Sequence, residues 1–183
     1  MLTVTELNKA YDAPVIKDFS YTFPQNGLVV IRGNSGSGKT TLLRLIAGLE
    51  QADSGGIETD CERISFVFQE ARLVPNLTVL DNVLLVKKEK NKKEALAILE
   101  RLGLGEARKK YPHQLSGGMK LRVAIARSLY FGGDLYLWDE PTKELDPENC
   151  RIIRDLMKEV SDNALVLTVT HDPEIVGDAV IRL

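Results

Sequence analysis

The chain has 183 residues and a formal net charge of −2, with 44% hydrophobic and 27% charged residues. This length predicts one compact domain, and the balanced charge speaks against the basic surface of a nucleic-acid-binding protein. No run approaches about eighteen consecutive apolar residues, and residues 1–6 lack the basic-then-apolar order of a signal peptide. We therefore expect a soluble chain that stays in the cytosol unless a partner holds it at a membrane.

The first part of the chain predicts an antiparallel β-sheet. Residues 2–6 and 15–23 alternate apolar and polar side chains, and the turn-like stretch 11–14 joins them. Residues 28–31 then form a short apolar run of the kind found in buried strands. We therefore expect an antiparallel edge sheet over residues 1–27 and an α/β core that begins at residue 28.

A glycine-rich loop follows the strand at 28–31. Residues 33–40 read G-N-S-G-S-G-K-T and precede a helix-like run. A strand, a glycine-rich turn and a helix in this order predict a phosphate-binding loop, whose backbone N–H groups and helix N-terminus surround the anion. Lys39 would contact the terminal phosphates, and the Thr40 hydroxyl would bind magnesium. The alternative is a glycine turn that precedes a helix by chance.

Three later segments predict further strands of a mainly parallel sheet covered on both faces. Each is short, apolar and rich in β-forming residues, and helical patterns separate them; they lie at 64–68, 135–138 and 164–169.

The strand pattern disappears between residues 70 and 115, where helical stretches at 78–86 and 92–102 predict a small inserted lobe. The core then comprises residues 28–69 and 116–183. Within the lobe, the lysine-rich residues 87–94 are most simply a solvated connection, and a contact with acidic lipid head groups is the alternative.

Polar residues end three of the predicted strands. Asp139 and Glu140 follow the strand at 135–138, at the sheet edge where ligands of open α/β sheets bind. We expect Asp139 to join Thr40 around magnesium through water, and Glu140 to polarise the water that attacks the γ-phosphorus. Gln69 would touch the metal or the water, and His171 would bind the γ-phosphate and hold Glu140. An acidic helix cap or a surface pair is the alternative for the two carboxylates.

A second serine and glycine turn opens a helix at residues 115–119, which read L-S-G-G-M. Such a turn is a second potential phosphate site. One nucleotide has no need of both sites, so this one is expected to serve the nucleotide of another copy. The alternative is that Ser116 is simply a helix cap.

Together these residues resemble the ATP-binding subunit of ABC transporters across almost the whole chain. Residues 33–40 resemble the Walker A loop, 115–119 the signature motif and 135–140 the Walker B strand with its catalytic glutamate. The resemblance implies an α/β fold with a P-loop NTPase core, RecA-like over residues 28–69 and 116–183, which hydrolyses ATP with Mg²⁺.

The resemblance also implies a role for each motif residue. Glu140, His171 as the switch histidine and Gln69 would be catalytic, and Thr40, Gln69 and Asp139 would hold magnesium. Leu145 and Asp146 would form the D-loop. The residues implied to bind ATP are Tyr11, Gly33, Asn34, Ser35, Gly36, Ser37, Gly38, Lys39, Thr40 and Thr41, and the signature residues acting on a second copy's ATP are Leu115, Ser116, Gly117, Gly118 and Met119.

The implied assembly is a head-to-tail dimer that binds two ATP molecules and drives a membrane-spanning permease. It would lie peripherally at the cytoplasmic face of the cell membrane. Residues 69–82, here named the coupling loop, would contact the permease through Arg72 and Leu73. Three positions depart from the family pattern: Met119, Leu121 and the pair Lys143 and Glu144.

Residues 67–83 and 111–119 look like the importers of the nitrate, sulfonate and taurine group. We therefore expect import of a small solute, with a solute-binding protein as a further partner. The alternatives are an exporter ATPase, a soluble ABC ATPase without a permease, and a regulatory subunit that has lost turnover. The presence of Asp139, Glu140 and His171 argues against the last of these.

Overall fold

The computed structural model describes residues 1–183 and contains eight strands and five α-helices. The strands are β1 (Leu2–Ala10), β2 (Pro14–Phe23), β3 (Gly27–Arg32), β4 (Ser54–Thr59), β5 (Ile64–Val67), β6 (Leu135–Asp139), β7 (Leu165–Val169) and β8 (Ala179–Arg182). The helices are α1 (Lys39–Ile46), α2 (Val79–Leu84), α3 (Lys92–Arg101), α4 (Gly117–Phe131) and α5 (Pro147–Ser161). None of the helices combines the length and the apolarity needed to cross a bilayer.

A five-stranded parallel sheet in the order β5-β6-β7-β3-β8 forms the centre of the fold. Every residue of β6 and β7 is buried. In β6, Leu135 and Leu137 join the core on the side of α1, whereas Tyr136 and Trp138 join the core on the side of α4 and α5. The predicted parallel sheet with both faces covered is therefore confirmed.

Strand β8 was not predicted from the sequence. It pairs with β3 at the sheet edge, and only Ile181 among its four residues is buried. Such a short, half-exposed strand has no continuous apolar run, which is the signal that identified the central strands.

The antiparallel sheet is a separate three-stranded layer in the order β2-β1-β4. The prediction of antiparallel pairing between the first two strands was correct, but the boundary at residue 27 was wrong because it leaves out β4. The layer packs over α1 through a shared hydrophobic core. Strand β4 reads S-G-G-I-E-T and has a single apolar residue, so only its pairing with β1 makes it a strand.

The inserted lobe is helical, as predicted. Helices α2 and α3 pack against α4, and side chains of Thr78 and Asn91 cap their N-termini. Residues 88–93 are exposed, in agreement with a solvated connection. Lys87 differs, because its Nζ lies 4.6 Å from the Tyr130 ring centroid and 3.3 Å from Glu94 Oε1.

Two side chains fix the coupling loop. Asn82 is fully buried, donates to the carbonyl oxygens of Val74, Leu77 and Thr78 at 3.0–3.1 Å, and accepts from Val74 N at 2.8 Å. Arg127 of α4 donates to the carbonyl oxygens of Ala71 and Arg72. The loop is therefore ordered by hydrogen bonds to its backbone.

We predict that Asn82→Ala lowers the free energy of unfolding by about 2–4 kcal/mol, because it leaves several buried backbone groups without partners. Denaturant unfolding measures this change. Asn76→Ala in the same loop is the matched control, since Asn76 is exposed, and its effect should stay within about 0.5 kcal/mol. Equal effects of the two substitutions would contradict the anchoring role of Asn82.

Candidate nucleotide-binding site

The loop between β3 and α1 has the backbone geometry that a close phosphate contact requires. Gly38 precedes α1 at φ 94°, a left-handed conformation that favours glycine. A Cβ atom at this position would lie 2.8 Å from Val15 Cγ1 and 2.9 Å from Val15 O. Any other residue at position 38 would therefore displace the strand β2 that covers the loop.

Lys39 is buried, and the loop that precedes it folds around its ammonium group. Its Nζ donates to Gly33 O at 2.9 Å and to Asn34 O at 2.7 Å. These carbonyl contacts satisfy the cation within the chain, and a phosphate group is the natural anionic partner for it. The ammonium group lies next to a cavity of about 300 Å³.

That cavity gathers most of the residues predicted to bind ATP or to act in hydrolysis. It is lined by Tyr11, Ser35, Gly36, Gly38, Lys39, Thr40, Thr41, Gln69, Asp139, Glu140 and His171. Residues separated by more than a hundred positions in the chain thus meet at the carboxyl edge of the parallel sheet. Gly33, Asn34 and Ser37 belong to the same loop but do not line the cavity.

Asp139 and Thr40 form the candidate magnesium site. Thr40 Oγ1 donates to Asp139 Oδ2 at 2.8 Å, while Asp139 Oδ1 is buried without any partner. Asp139 is only 2% exposed, and this burial raises the pKa of its carboxyl group against the opposing hydrogen bond from Thr40. A buried carboxylate oxygen without a partner, next to a hydroxyl, is a donor set that fits Mg²⁺.

Glu140 contacts His171. Its backbone adopts φ 54°, its Oε2 accepts from His171 N at 3.4 Å, and its Oε1 lies 3.5 Å from His171 Nε2. Burial raises the pKa of Glu140, and the backbone N–H of His171 opposes this effect. The two carboxylates have different partners, which agrees with the expected division of roles. Exposed Gln69 lines the same cavity.

Tyr11 lines the same cavity and is 57% exposed. Its hydroxyl donates to Glu50 Oε2, and Lys9 Nζ lies 5.5 Å from the ring centroid. Arg44 binds the other oxygen of the same Glu50 carboxylate at 3.3 Å. Sequence reasoning missed Lys9, Arg44 and Glu50, because their link to Tyr11 depends on the Tyr11–Glu50 contact between residues 39 positions apart, which no local pattern marks.

The signature residues Leu115–Met119 do not line the cavity that holds Lys39 and Thr40. Ser116 caps α4 by accepting from Met119 N at 3.3 Å, so the helix-cap alternative describes its contact within one chain. A Cβ atom at Gly117 would lie 2.5 Å from Glu144 Oε2, and one at Gly118 would lie 3.0 Å from Glu144 O. The two glycines therefore allow the signature turn to pack against the segment that precedes the D-loop.

Leu145 and Asp146, the residues predicted to form the D-loop, precede and begin helix α5. Leu145 lines a second cavity, of about 710 Å³, together with Glu140 and His171. Asp146 caps α5 by accepting from Asn149 N at 2.9 Å. Of the departures from the family pattern, Leu121 is buried in the core of the helical side, and Met119 packs partly against that core.

The fold and the residues around Lys39 define a P-loop ATPase. The ABC transporter family profile matches residues 16–143 of the chain. The chain belongs to the ABC transporter family, as an ATP-hydrolysing, nucleotide-binding subunit, which confirms the family, the fold and the enzyme class predicted from the sequence.

Named relatives cover nearly the whole chain. The glutamate transport ATP-binding protein GluA of Corynebacterium glutamicum is 37% identical over 195 residues, which span 94% of this chain and 81% of the relative. The aliphatic sulfonates import ATP-binding protein SsuB 1 of Paracoccus denitrificans is 39% identical over 176 residues, which span 93% of this chain and 73% of the relative. The two relatives belong to different solute classes at nearly equal identity.

A solved structure gives the same picture of the fold. The dimeric ATP-binding cassette MJ0796, in a post-hydrolysis state with ADP and Pi, matches with a TM-score of 0.93 and 31% identity. The match covers 100% of this chain and 94% of that chain.

We predict that Asp139→Asn raises the melting temperature of the nucleotide-free chain by about 2–4 °C, since the amide removes a buried charge whose ionised form the fold disfavours. The same substitution should abolish the additional stabilisation that Mg²⁺ gives in the presence of ATP. Asp134→Asn is the matched control: 42% of the Asp134 side chain is exposed, hydrogen bonds from Arg63 lower the pKa of its carboxyl group, and the substitution should lower the melting temperature slightly. An unchanged response to Mg²⁺ in Asp139→Asn would contradict the proposed metal site.

Proposed function

We propose that the chain is the ATPase subunit of an importer, peripheral to the cytoplasmic face of the cell membrane, and that it drives a small solute through a separate permease. The names of the relatives support import, because they include a sulfonate import protein and a glutamate/aspartate import protein. The observation that carries the catalytic part is the meeting of two pairs, Thr40 with Asp139 and Glu140 with His171, at one cavity beside Lys39.

Each side of that cavity has a distinct chemical task. The backbone of residues 33–40 and the Lys39 ammonium bind the phosphates, while the exposed ring of Tyr11 stacks on the adenine. Thr40, Asp139 and Gln69 hold Mg²⁺, which neutralises charge on the phosphate oxygens when it is bound. Glu140 accepts a proton from the attacking water, and the raised pKa of its carboxyl group suits a general base. His171 keeps Glu140 in position and donates to the γ-phosphate.

A second copy of the chain completes the site. Ser116 and the glycines beside it open helix α4 away from the cavity of their own chain, so their backbone N–H groups are available to a γ-phosphate bound elsewhere. The dimeric state of the cassette MJ0796 supports this arrangement. We propose a head-to-tail homodimer with two ATP molecules between the Walker A loop of one copy and the signature motif of the other.

We predict that Glu140→Gln lowers kcat for ATP hydrolysis by about 10²–10⁴-fold, the range expected for the loss of a general base, with little change in ATP affinity. The variant should accumulate an ATP-bound dimer that size-exclusion chromatography resolves. Lys39→Ala should instead weaken ATP binding itself, because it removes a direct phosphate contact. Near-normal hydrolysis by Glu140→Gln would refute the role of Glu140.

The coupling loop is the proposed contact with the permease. Arg72 is exposed and its guanidinium lies 4.1 Å from the Phe68 ring centroid, while Val74 exposes 40% of its surface. Leu73, proposed from the sequence alongside Arg72, instead packs partly against the core, so Val74 replaces it as a candidate contact. Because Asn82 of α2 and Arg127 of α4 fix the backbone of the loop, a displacement of Arg72 by the permease would also displace these two helices.

We predict that the tagged chain, extracted with detergent from membranes of its native cell, co-purifies with a hydrophobic permease subunit and a solute-binding protein. Arg72→Glu combined with Val74→Asp should abolish this association and leave ATP affinity unchanged. Lys88→Glu is the control, since it reverses an exposed charge outside the loop, and its effect would reveal a contact with acidic lipids instead. Recovery of the chain without any membrane subunit would favour the soluble ABC ATPase.

A further inference from the structure

Two arginines from different elements hold the segment 171–175, which carries His171. Arg154 of α5 binds Asp172, with Nη1 at 3.0 Å from Oδ2, and Glu174, with Nη2 at 2.6 Å from Oε2. Arg32, at the end of β3, donates to the carbonyl oxygens of Asp172 at 3.2 Å and Ile175 at 3.0 Å. The second oxygen of the Asp172 carboxylate accepts from Glu174 N at 2.9 Å. The segment is therefore fixed from two sides, once through its carboxylates and once through its backbone.

The Arg154–Asp172 pair is largely removed from solvent. The side chains are 21% and 13% exposed, whereas those of the Arg101–Glu159 pair, which joins α3 to α5, are 54% and 61% exposed. Exposed pairs contribute little because water screens them, but breaking a partly buried pair leaves a charge without a partner. The first pair can thus fix a backbone position, and the second pair is a natural control for it.

His171 depends on this anchoring. Its side chain is 67% exposed and its Nε2 lies 3.5 Å from Glu140 Oε1, so no packing fixes the imidazole itself. Its backbone N–H also contacts Glu140 Oε2. Asp172 follows His171 directly in the chain, so the position of the Asp172 carboxylate determines where the His171 backbone lies relative to Glu140.

We propose that Arg154 is a positioning residue for ATP hydrolysis: by binding Asp172 and Glu174 it holds His171 against Glu140. This role rests on the proposed functions of Glu140 and His171. Arg154 does not line the cavity that contains Lys39 and Thr40, so it acts on the hydrolysis step and not on ATP binding. A small displacement of a group that orients the reacting atoms is enough to slow the chemical step strongly.

Arg154→Met should lower kcat about tenfold and leave the dissociation constant for ATP within about twofold of the unmodified chain. Arg154→Lys should recover part of kcat, since an ammonium group can replace one of the two ion pairs. In the His171→Ala background, Arg154→Met should have no further effect on kcat, because the group that it positions is gone. Arg101→Met, which removes the exposed ion pair between α3 and α5, should leave kcat unchanged.

The proposal would be overturned if Arg154→Met lowered kcat by the same factor in the unmodified chain and in the His171→Ala variant. It would also be overturned if His171→Ala lowered kcat while Arg154→Met left kcat within twofold of the unmodified chain. Normal hydrolysis by Glu140→Gln would instead refute the proposed catalytic function, which separates the two failures. Thermal unfolding of each variant shows whether it is folded. If Arg154→Met does not fold, Asp172→Asn tests the same pair with the same two backgrounds.

Discussion

One constraint organises the part of the molecule around the candidate nucleotide site: the carboxyl group of Asp139 must be able to ionise although it is buried. The strand that carries it, β6, is buried along its whole length, and Trp138 and Leu137 fix it between the two hydrophobic cores. Thr40 satisfies one carboxylate oxygen and leaves the other without a partner. The apolar core thus holds a carboxyl group at the site proposed for Mg²⁺, and the phosphate loop, Glu140 and His171 take their positions from strands of that same sheet.

The features that could be predicted from the sequence are those whose pattern lies within one short stretch of the chain. Strands β3, β5, β6 and β7 are continuous apolar runs, and the phosphate loop is a local pattern between a strand and a helix. Strand β4 escaped prediction because it has one apolar residue and exists through its pairing with β1. Arg154 and Asp172 escaped because charged residues on an amphipathic helix or in a short loop are usually on the surface. Only the tertiary fold brings them together.

In the proposed dimer, the separation of the signature turn from the phosphate loop means that each chain supplies half of each ATP site. Gly117 and Gly118 pack closely against Glu144, whose backbone adopts φ 62°, and Leu145 borders the cavity that contains Glu140 and His171. The surface that would meet a second copy is therefore built from two turns that already contact one another within one chain. Glu144 stands where the family pattern has a small residue, and the left-handed turn accommodates it without disturbing either glycine.

Helix α5 joins two of these features into one mechanical element. Asp146 caps its first turn. Arg154 lies two turns later, about 12 Å along the helix axis, and binds the segment that carries His171. We expect a helix of this length to move as a rigid unit. A shift of its first turn by about 1 Å, which is comparable to the displacement that weakens a catalytic contact, would then change the distance between His171 and Glu140. If Arg154 positions His171 as proposed, contact of a partner with the first turn of α5 would thereby change the rate of ATP hydrolysis.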